Sequence, residues 1–272
     1  IITRLTRSRS NETPDVAYWN PDKGEIEAHR LEGYDAVVHL AGEGIAGRWT
    51  QEKKSRIEDS RVNGTKLLSE TIARLKSKPR VIVAASGIGY YGDRGDEILT
   101  EESERGEGFL AELSVKWEKA LLPAMDAGVR VVNMRLGIVL SGEGGALEKM
   151  LTPFKLGLGG TLGDGRQYWS WIAIDDVVGA ICFSLKKESL SGPVNFTAPE
   201  PVPNKEFTKA LGEVLGRPTV LPVPAFILRG LFGDMAVETM LGSTRAEPRK
   251  LMRLGYKFRF PELKGALEHV LL

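Results

Sequence analysis

Hydroxyl-bearing and very small residues gathered at the ends of two apolar runs are the groups in this sequence best suited to chemistry. The runs are Asp35-Ala-Val-Val-His-Leu-Ala-Gly42 and Val81-Ile-Val-Ala-Ala-Ser-Gly-Ile-Gly-Tyr-Tyr-Gly92. Each is short, β-branched and stops in Gly, Ala or Ser, which is how a buried parallel strand opens its carboxyl end to a ligand. Backbone approaches a flat, charged ligand only where side chains are small. Ala41, Gly42, Ser86 and Gly87 are therefore candidate contacts to a nucleotide-type cofactor. Tyr90 and Tyr91 add two phenols in a glycine-rich turn, a setting that suits a pocket better than a core. Either run alone reads as an ordinary core strand with turn glycines; the two together, separated by a helical stretch, point to a ligand. Farther on, the glycine-rich loop Gly157–Gly165 runs into Gln167-Tyr-Trp-Ser-Trp171 and reads as mobile or ligand-lining. Arg166 beside it is either an anion clamp or a solvated surface cation.

The elements that must hold these residues follow an alternating pattern. Strand-like runs lie at Ile2–Thr6, Val16–Trp19, Ala36–Leu40, Val81–Ala85 and Val129–Leu136, with helical stretches between the later ones. That is the signature of a parallel sheet built from βαβ units. In 51–78, Ile57, Leu67, Leu68, Ile72 and Leu75 form one apolar face; in 110–127, Leu113, Trp117, Leu121 and Met125 do the same, with Pro123 marking a kink or boundary. Past Leu140 the spacing predicts helices over 146–156, 176–186 capped by Asp175, 205–215 capped by Asn204, and three more in the final third. The predicted fold is α/β, a doubly wound, Rossmann-like parallel sheet with a smaller, mostly helical C-terminal substrate domain. The expected division is a dinucleotide-binding domain over 1–140, joined by 172–197, and a substrate domain from 141–171 and 198–272.

Composition narrows the function. The 272 residues carry a net charge of +1 with acids and bases interspersed, so no global field draws the chain to nucleic acid or to an anionic membrane. No apolar run reaches the roughly 20 residues a bilayer span needs. The single cysteine, Cys182, cannot form an internal disulfide, which suits a reducing, cytoplasmic setting with Cys182 as a core residue. No metal-ligand spacing is present.

Several motifs in order resemble the extended short-chain dehydrogenase/reductases of the NAD(P)-dependent epimerase/dehydratase superfamily, in the epimerase family protein branch also described as cell-division-inhibitor-like. They are Leu5-Thr-Arg-Ser8, Val37-Val-His-Leu-Ala-Gly42, Ser60-Arg-Val-Asn-Gly-Thr65, Ser86-Gly-Ile-Gly-Tyr-Tyr-Gly-Asp93, Phe109-Leu-Ala-Glu…Trp117-Glu118, Arg135-Leu-Gly-Ile-Val139, Gly163-Asp-Gly-Arg-Gln167…Ser170-Trp-Ile-Ala-Ile-Asp-Asp176 and Asn195. The resemblance implies that Leu40, Ala41 and Gly42 lie under the adenosine side of a dinucleotide. It also implies that Thr6, Arg7 and Ser8 meet a ribose 2′-phosphate, hence NADP before NAD. Asn63 would organise the helix below, and Arg135 would join the cofactor contacts. Ser86 would hydrogen-bond the reacting oxygen, and Gly87, Arg166, Gln167 and Trp169 would meet the substrate.

Two of the family's pieces are missing from this sequence. The Gly-x-x-Gly-x-x-Gly turn that follows the family's first strand is not found; Ile1 lies inside what reads as the second strand, so a first strand with its glycine-rich turn is expected to precede it, and the chain from Ile1 is expected to bind cofactor poorly. No Tyr-x-x-x-Lys pair is present either, leaving Tyr90 or Tyr91 as proton donor and Lys116, off the family's register, as the lysine of that helix. The function expected is hydride transfer with NADP on an oxygenated small molecule, as a reductase or epimerase, with a homodimer as one option. The alternative is a catalytically silent dinucleotide-binding regulatory or interaction protein.

Overall fold

The computed structural model describes residues 1–8 and 15–272. Strands organise the chain as far as Phe196 and helices the remainder. In order they are β1 (Arg4–Thr6), β2 (Val16–Asn20), β3 (Glu25–Ile26), β4 (Ala36–His39), α1 (Gln51–Arg74), β5 (Val81–Gly87), a 3-10 turn over Ile88–Tyr91, β6 (Ile98–Leu99), α2 (Phe109–Lys119), α3 (Leu122–Asp126) and β7 (Arg130–Leu136). Then come β8 (Ile138–Leu140), α4 (Gly145–Lys155), β9 (Tyr168–Trp169), β10 (Trp171–Ala173), α5 (Ile174–Lys186), β11 (Gly192–Phe196), β12 (Val202–Pro203), α6 (Asn204–Leu215), α7 (Ala225–Phe232), a π-helical turn over Ala236–Leu241, β13 (Arg245–Ala246), α8 (Arg249–Arg253) and α9 (Leu263–Leu271).

The central sheet has the order β11-β7-β5-β4, every pair parallel. Alternation along its strands sends Val81, Val83, Ala85, Val132, Met134, Val194 and Phe196 to one face, where α5 and α8 pack. Ile82, Ala84 and Val131 go to the other, against Leu68, Ile72 and Leu75 from α1 and its C-terminal end. Both faces are covered by helices, as all-parallel sheets require. A third apolar cluster joins α4, α6 and α9 to β8, β9 and β10, and this is the core of the mostly helical C-terminal part. β4 is an edge: β1, β2 and β3 form a separate sheet, although Leu5 of β1 and Val37 of β4 pack on the same cluster.

Local chemistry explains the helix ends. Thr50 caps α1 by accepting from Lys53 N at 3.1 Å. α2 starts after Gly108, which has no capping side chain, and Glu238 supplies the cap from far along the chain, its carboxylate accepting from Phe109 N at 3.0 Å and Leu110 N at 2.8 Å. The helix expected over 110–127 is two helices, because Pro123 lacks the N–H to continue α2 and sits instead in the first turn of α3. Met125 faces solvent, contrary to expectation.

Three further expectations are corrected. Cys182 is exposed, because α5 turns Val177, Ala180 and Ser184 inward and Cys182 lies off that stripe. Asp175 does not cap α5; it pairs with Arg259 at 3.1 Å and His269 at 3.0 Å, while the buried Asp176 accepts from Arg259 N and Phe260 N. Asn204 is the first residue of α6, and its Oδ1 accepts from Leu162 N at 2.8 Å, tying down the glycine-rich loop. Among the described residues no helix is long and apolar enough to cross a membrane.

Candidate active site at the strand ends

Register brings three polar residues into one row. Ser86 on β5 is level with Arg135 on β7, and Arg135 is level with Asn195 on β11. Residues paired across adjacent strands share a face, so their side chains meet at the carboxyl end of the sheet. Because His39 is level with Ala84, the chain leaves β4 through Leu40, Ala41 and Gly42 beside the end of β5.

Glu118 of α2 knits the row together. Its carboxylate accepts from Arg135 twice, from Nε at 2.8 Å and from Nη2 at 2.9 Å, and from Ser86 Oγ at 2.9 Å. Arg135 Nη1 donates to the Tyr91 hydroxyl at 3.1 Å, and Tyr91 donates to Asn195 Oδ1 at 2.7 Å. Asn195 closes the chain, its Nδ2 donating to Glu247 O and its backbone N to the buried carboxylate of Glu101. The Tyr90 ring lies on the Arg135 guanidinium, 3.4 Å from its centre, and meets Tyr91 edge-on.

Electrostatics separates the two tyrosines. Burial pushes the Tyr91 phenol up to about 12, with Arg135 opposing part of the rise. Tyr91 is fully buried and its proton is committed to Asn195, so it cannot serve a substrate. Tyr90 is half-buried, and its hydroxyl carries no bond to another described residue. Burial alone would lower the Arg135 pKa, but the Glu118 carboxylate more than offsets this and the net shift is upward. Beneath the row, Trp117 Nε1 donates to Thr65 Oγ1, which faces His39 Nε2 at 2.9 Å. Burial lowers the His39 pKa to about 4 and keeps the ring neutral.

The remaining candidates divide. Leu40 and Gly42 are exposed and Ala41 and Gly87 half-exposed at the open strand ends. A Cβ added at Gly87 would meet nothing closer than 3.8 Å. Thr6, Arg7 and Ser8 lie at the end of β1; Arg7 reaches Asp22 at 3.4 Å, and Thr6 Oγ1 accepts from Ser8 N. Lys116 is not brought to either tyrosine: its ammonium donates to Glu58 at 2.8 and 3.0 Å, on the solvent side of α2. Asn63 faces water and reaches Asp59 one turn back. Gln167 is buried and donates to Leu162 O and Met240 O, and Trp169 packs on Phe207 in the C-terminal core. These contacts tie both side chains into the fold. Arg166 is exposed.

The sequence reading missed Glu118 as a site residue and gave Asn195 no role. Glu118 lies five positions before the break expected at Pro123, on a helix whose apolar face was read but whose acidic residues were not. Arg61, under Gly42, was also passed over. Among the described residues no group of three His, Cys, Asp or Glu gathers as a metal set.

A doubly wound parallel sheet with this polar row at its carboxyl edge defines a Rossmann-like protein of the short-chain dehydrogenase/reductase type. The chain belongs to the NAD dependent epimerase/dehydratase family, whose model matches residues 4–196; residues 223–270 match a domain of unknown function, DUF1731. It is 43% identical over 267 residues to an epimerase family protein of Mycobacterium bovis, covering 98% of this chain and 88% of the relative. It is 36% identical over 272 residues to the epimerase family protein YfhF of Bacillus subtilis, covering 100% and 89%. The crystal structure of the human epimerase family protein SDR39U1 with NADPH is 33% identical and superposes with a TM-score of 0.89, covering 98% of this chain and 90% of that one.

Proposed function

We propose that the protein is an NADP-dependent oxidoreductase or epimerase that moves a hydride at an oxygen-bearing carbon of a small-molecule substrate. The observation that carries this reading is the register row Ser86, Arg135 and Asn195 with Tyr90 lying over Arg135. The open ends of β4 and β5 fit a dinucleotide: Leu40 is 60% exposed and Gly42 is exposed beside it. NADPH in the human relative's structure supports the choice of cofactor. The cofactor, when bound, supplies or accepts the hydride. Thr6, Arg7 and Ser8 would take its 2′-phosphate, since the Arg7 pair with Asp22 is exposed on both sides and so weak enough to open. Leu40, Ala41 and Gly42 would carry its adenosine side. In this proposal residues 1–140 with 172–197 form the cofactor part while 141–171 and 198–272 form the substrate part.

Ser86 spends its proton on Glu118, so its lone pairs are what it offers: it accepts from a hydroxyl next to the reacting carbon and orients the substrate. Tyr90 gives its proton to the reacting oxygen on reduction and takes one back on oxidation, its ring held by Arg135. Titration with NADPH followed by a panel of aldehydes, ketones and sugars tests this. Tyr90→Phe should bind NADPH as the wild type does and lose turnover; unchanged turnover would remove Tyr90 from the mechanism. A second reading, a silent dinucleotide-binding regulator, draws on Lys116 being spent on Glu58. NADPH bound but unaltered by every compound in the panel would favour it.

A further inference from the structure

At the β11 edge of the central sheet, opposite β4, a cavity of about 400 Å³ opens between the residues that follow β6 and helix α8. Its size is that of a small-molecule site. Glu101 is buried at its floor, Lys250 is half-buried along one side, and Glu102, Arg249, Met252 and Arg253 are exposed at its mouth. The shelf that the ends of β4 and β5 offer to a dinucleotide lies at the other edge of the sheet.

The charges around the cavity are not all matched. Arg249 is paired with Glu247 at 2.8 Å. Glu101 is held by the backbone, its Oε1 accepting from Asn195 N and from Lys250 N, each at 3.1 Å, so the floor is rigid. Lys250 gives one N–H to Ser191 O at 3.1 Å and keeps the others unspent. Arg253 donates to no described residue, and neither cation forms an ion pair among the described residues. Glu102 is the remaining carboxylate, exposed at the mouth where water screens it. Burial holds the Lys250 pKa below its ordinary value, with Arg135 and Arg253 adding to that effect against Glu101 and Glu102. Three positions apart on α8, Lys250 and Arg253 share a helix face. An ammonium and a guanidinium with free N–H groups thus border one hollow, an arrangement suited to gripping an oxyanion.

We infer that the hollow between Glu101 and α8 is a binding site for a small anion bearing a carboxylate or phosphate group, held by Lys250 and Arg253. The site goes beyond the hydride-transfer reading and does not depend on it.

Inorganic phosphate and citrate are titrated calorimetrically into the wild type, Lys250→Met, Arg253→Met and the double variant, at an ionic strength fixed with chloride and again with saturating NADPH. The wild type should bind at least one of the two probes, and the tighter one names the group the site takes. The double variant should bind that probe at least about tenfold more weakly, with each single variant in between. NADPH should leave the affinity unchanged. No binding by the wild type, a weakening under about tenfold in the double variant, or displacement of the anion by NADPH overturns the site. Thermal melts show which variants are folded. Arg253 is exposed, so Arg253→Met carries the test if the double variant fails to fold, and it must then weaken binding by itself. If the wild type binds phosphate or citrate through these two cations but does not bind NADPH, the cofactor reading falls and this site stands.

Discussion

At the carboxyl edge of the sheet, polar side chains are buried against one another; in the stretch from Gly157 to Gln167 it is the backbone that is buried, and side chains serve it. Glu118, Arg135, Tyr91, Asn195 and Ser86 form one continuous bonded chain whose members come from α2, β7, the turn after β5, β11 and β5. In the loop, Gln167 and Asn204 bond to main-chain groups, and a Cβ at Gly160 would collide with Leu221 O at 1.6 Å. The glycines there let two segments close-pack. Glycine density alone therefore does not distinguish a ligand cradle from a tight core; the fate of the neighbouring polar side chains does.

The largest expected effect tests the first region. Arg135 is 3% and Glu118 13% exposed at the side chain, and removing one partner strands the other charge in a dry place. Glu118→Ala should cost about 3–5 kcal/mol in urea unfolding; a loss under about 1 kcal/mol would mean that water enters the row. Trp169→Ala tests the C-terminal core just beyond the second region and should cost about 3–5 kcal/mol through the cavity it leaves. Its NADPH affinity should match the wild type's, and a tenfold weakening would return Trp169 to the binding site.

His39 gives a pH-dependent measure of the floor beneath the strand ends. Its folded pKa is about 4, below the unfolded value near 6.5. Between these values the unfolded chain binds the proton that the folded one refuses. Stability from this group is therefore complete above pH 6.5 and lost as pH falls toward 4, by roughly 3 kcal/mol in all. His39→Gln should flatten that part of the stability profile; an unchanged slope would place the ring in contact with water.

Tyr91→Phe sharpens the contrast between the paired tyrosines. It removes a buried hydroxyl that accepts from Arg135 and donates to Asn195, and should cost about 1–3 kcal/mol. Tyr90→Phe removes a hydroxyl with no protein partner among the described residues and should leave the melting temperature nearly unchanged. Equal destabilisation by the two would show that Tyr90 is also bonded in the fold.

The strands of the sheet were legible because Val81–Ala85 and Ala36–Leu40 are β-branched and end in small residues. The strand-end cluster was legible only where residue type betrayed it, at Ser86 and the tyrosines. Glu118 is the opposite case: an acidic residue in a helix rich in Glu and Lys, marked only by the fold that buries it against Arg135. Tyr90 and Tyr91 look identical in sequence, and their roles diverge because the 3-10 turn points successive side chains in different directions. Cys182 and Met125 were placed inside on apolarity alone, whereas the helix stripe that packs is fixed by angular position. Asn63 and Arg61 stand two residues apart on α1, and the helical turn aims the arginine at the shelf while the asparagine faces water.

Arg166 should give the smallest effect. Its side chain is 85% exposed and its nearest carboxylate, Asp164, is 3.9 Å away, a geometry in which an ion pair contributes little. Arg166→Ala should change stability by no more than about 0.5 kcal/mol and leave NADPH affinity unaltered. Because the loop backbone is held by Gln167 and Asn204, deleting this side chain cannot loosen the loop, so any loss of turnover would have to come from direct contact with substrate. A tenfold drop in activity at unchanged NADPH affinity would therefore make the exposed tip of the loop part of the substrate site while its buried half remained structural, and the boundary between the two regions would move to a single residue.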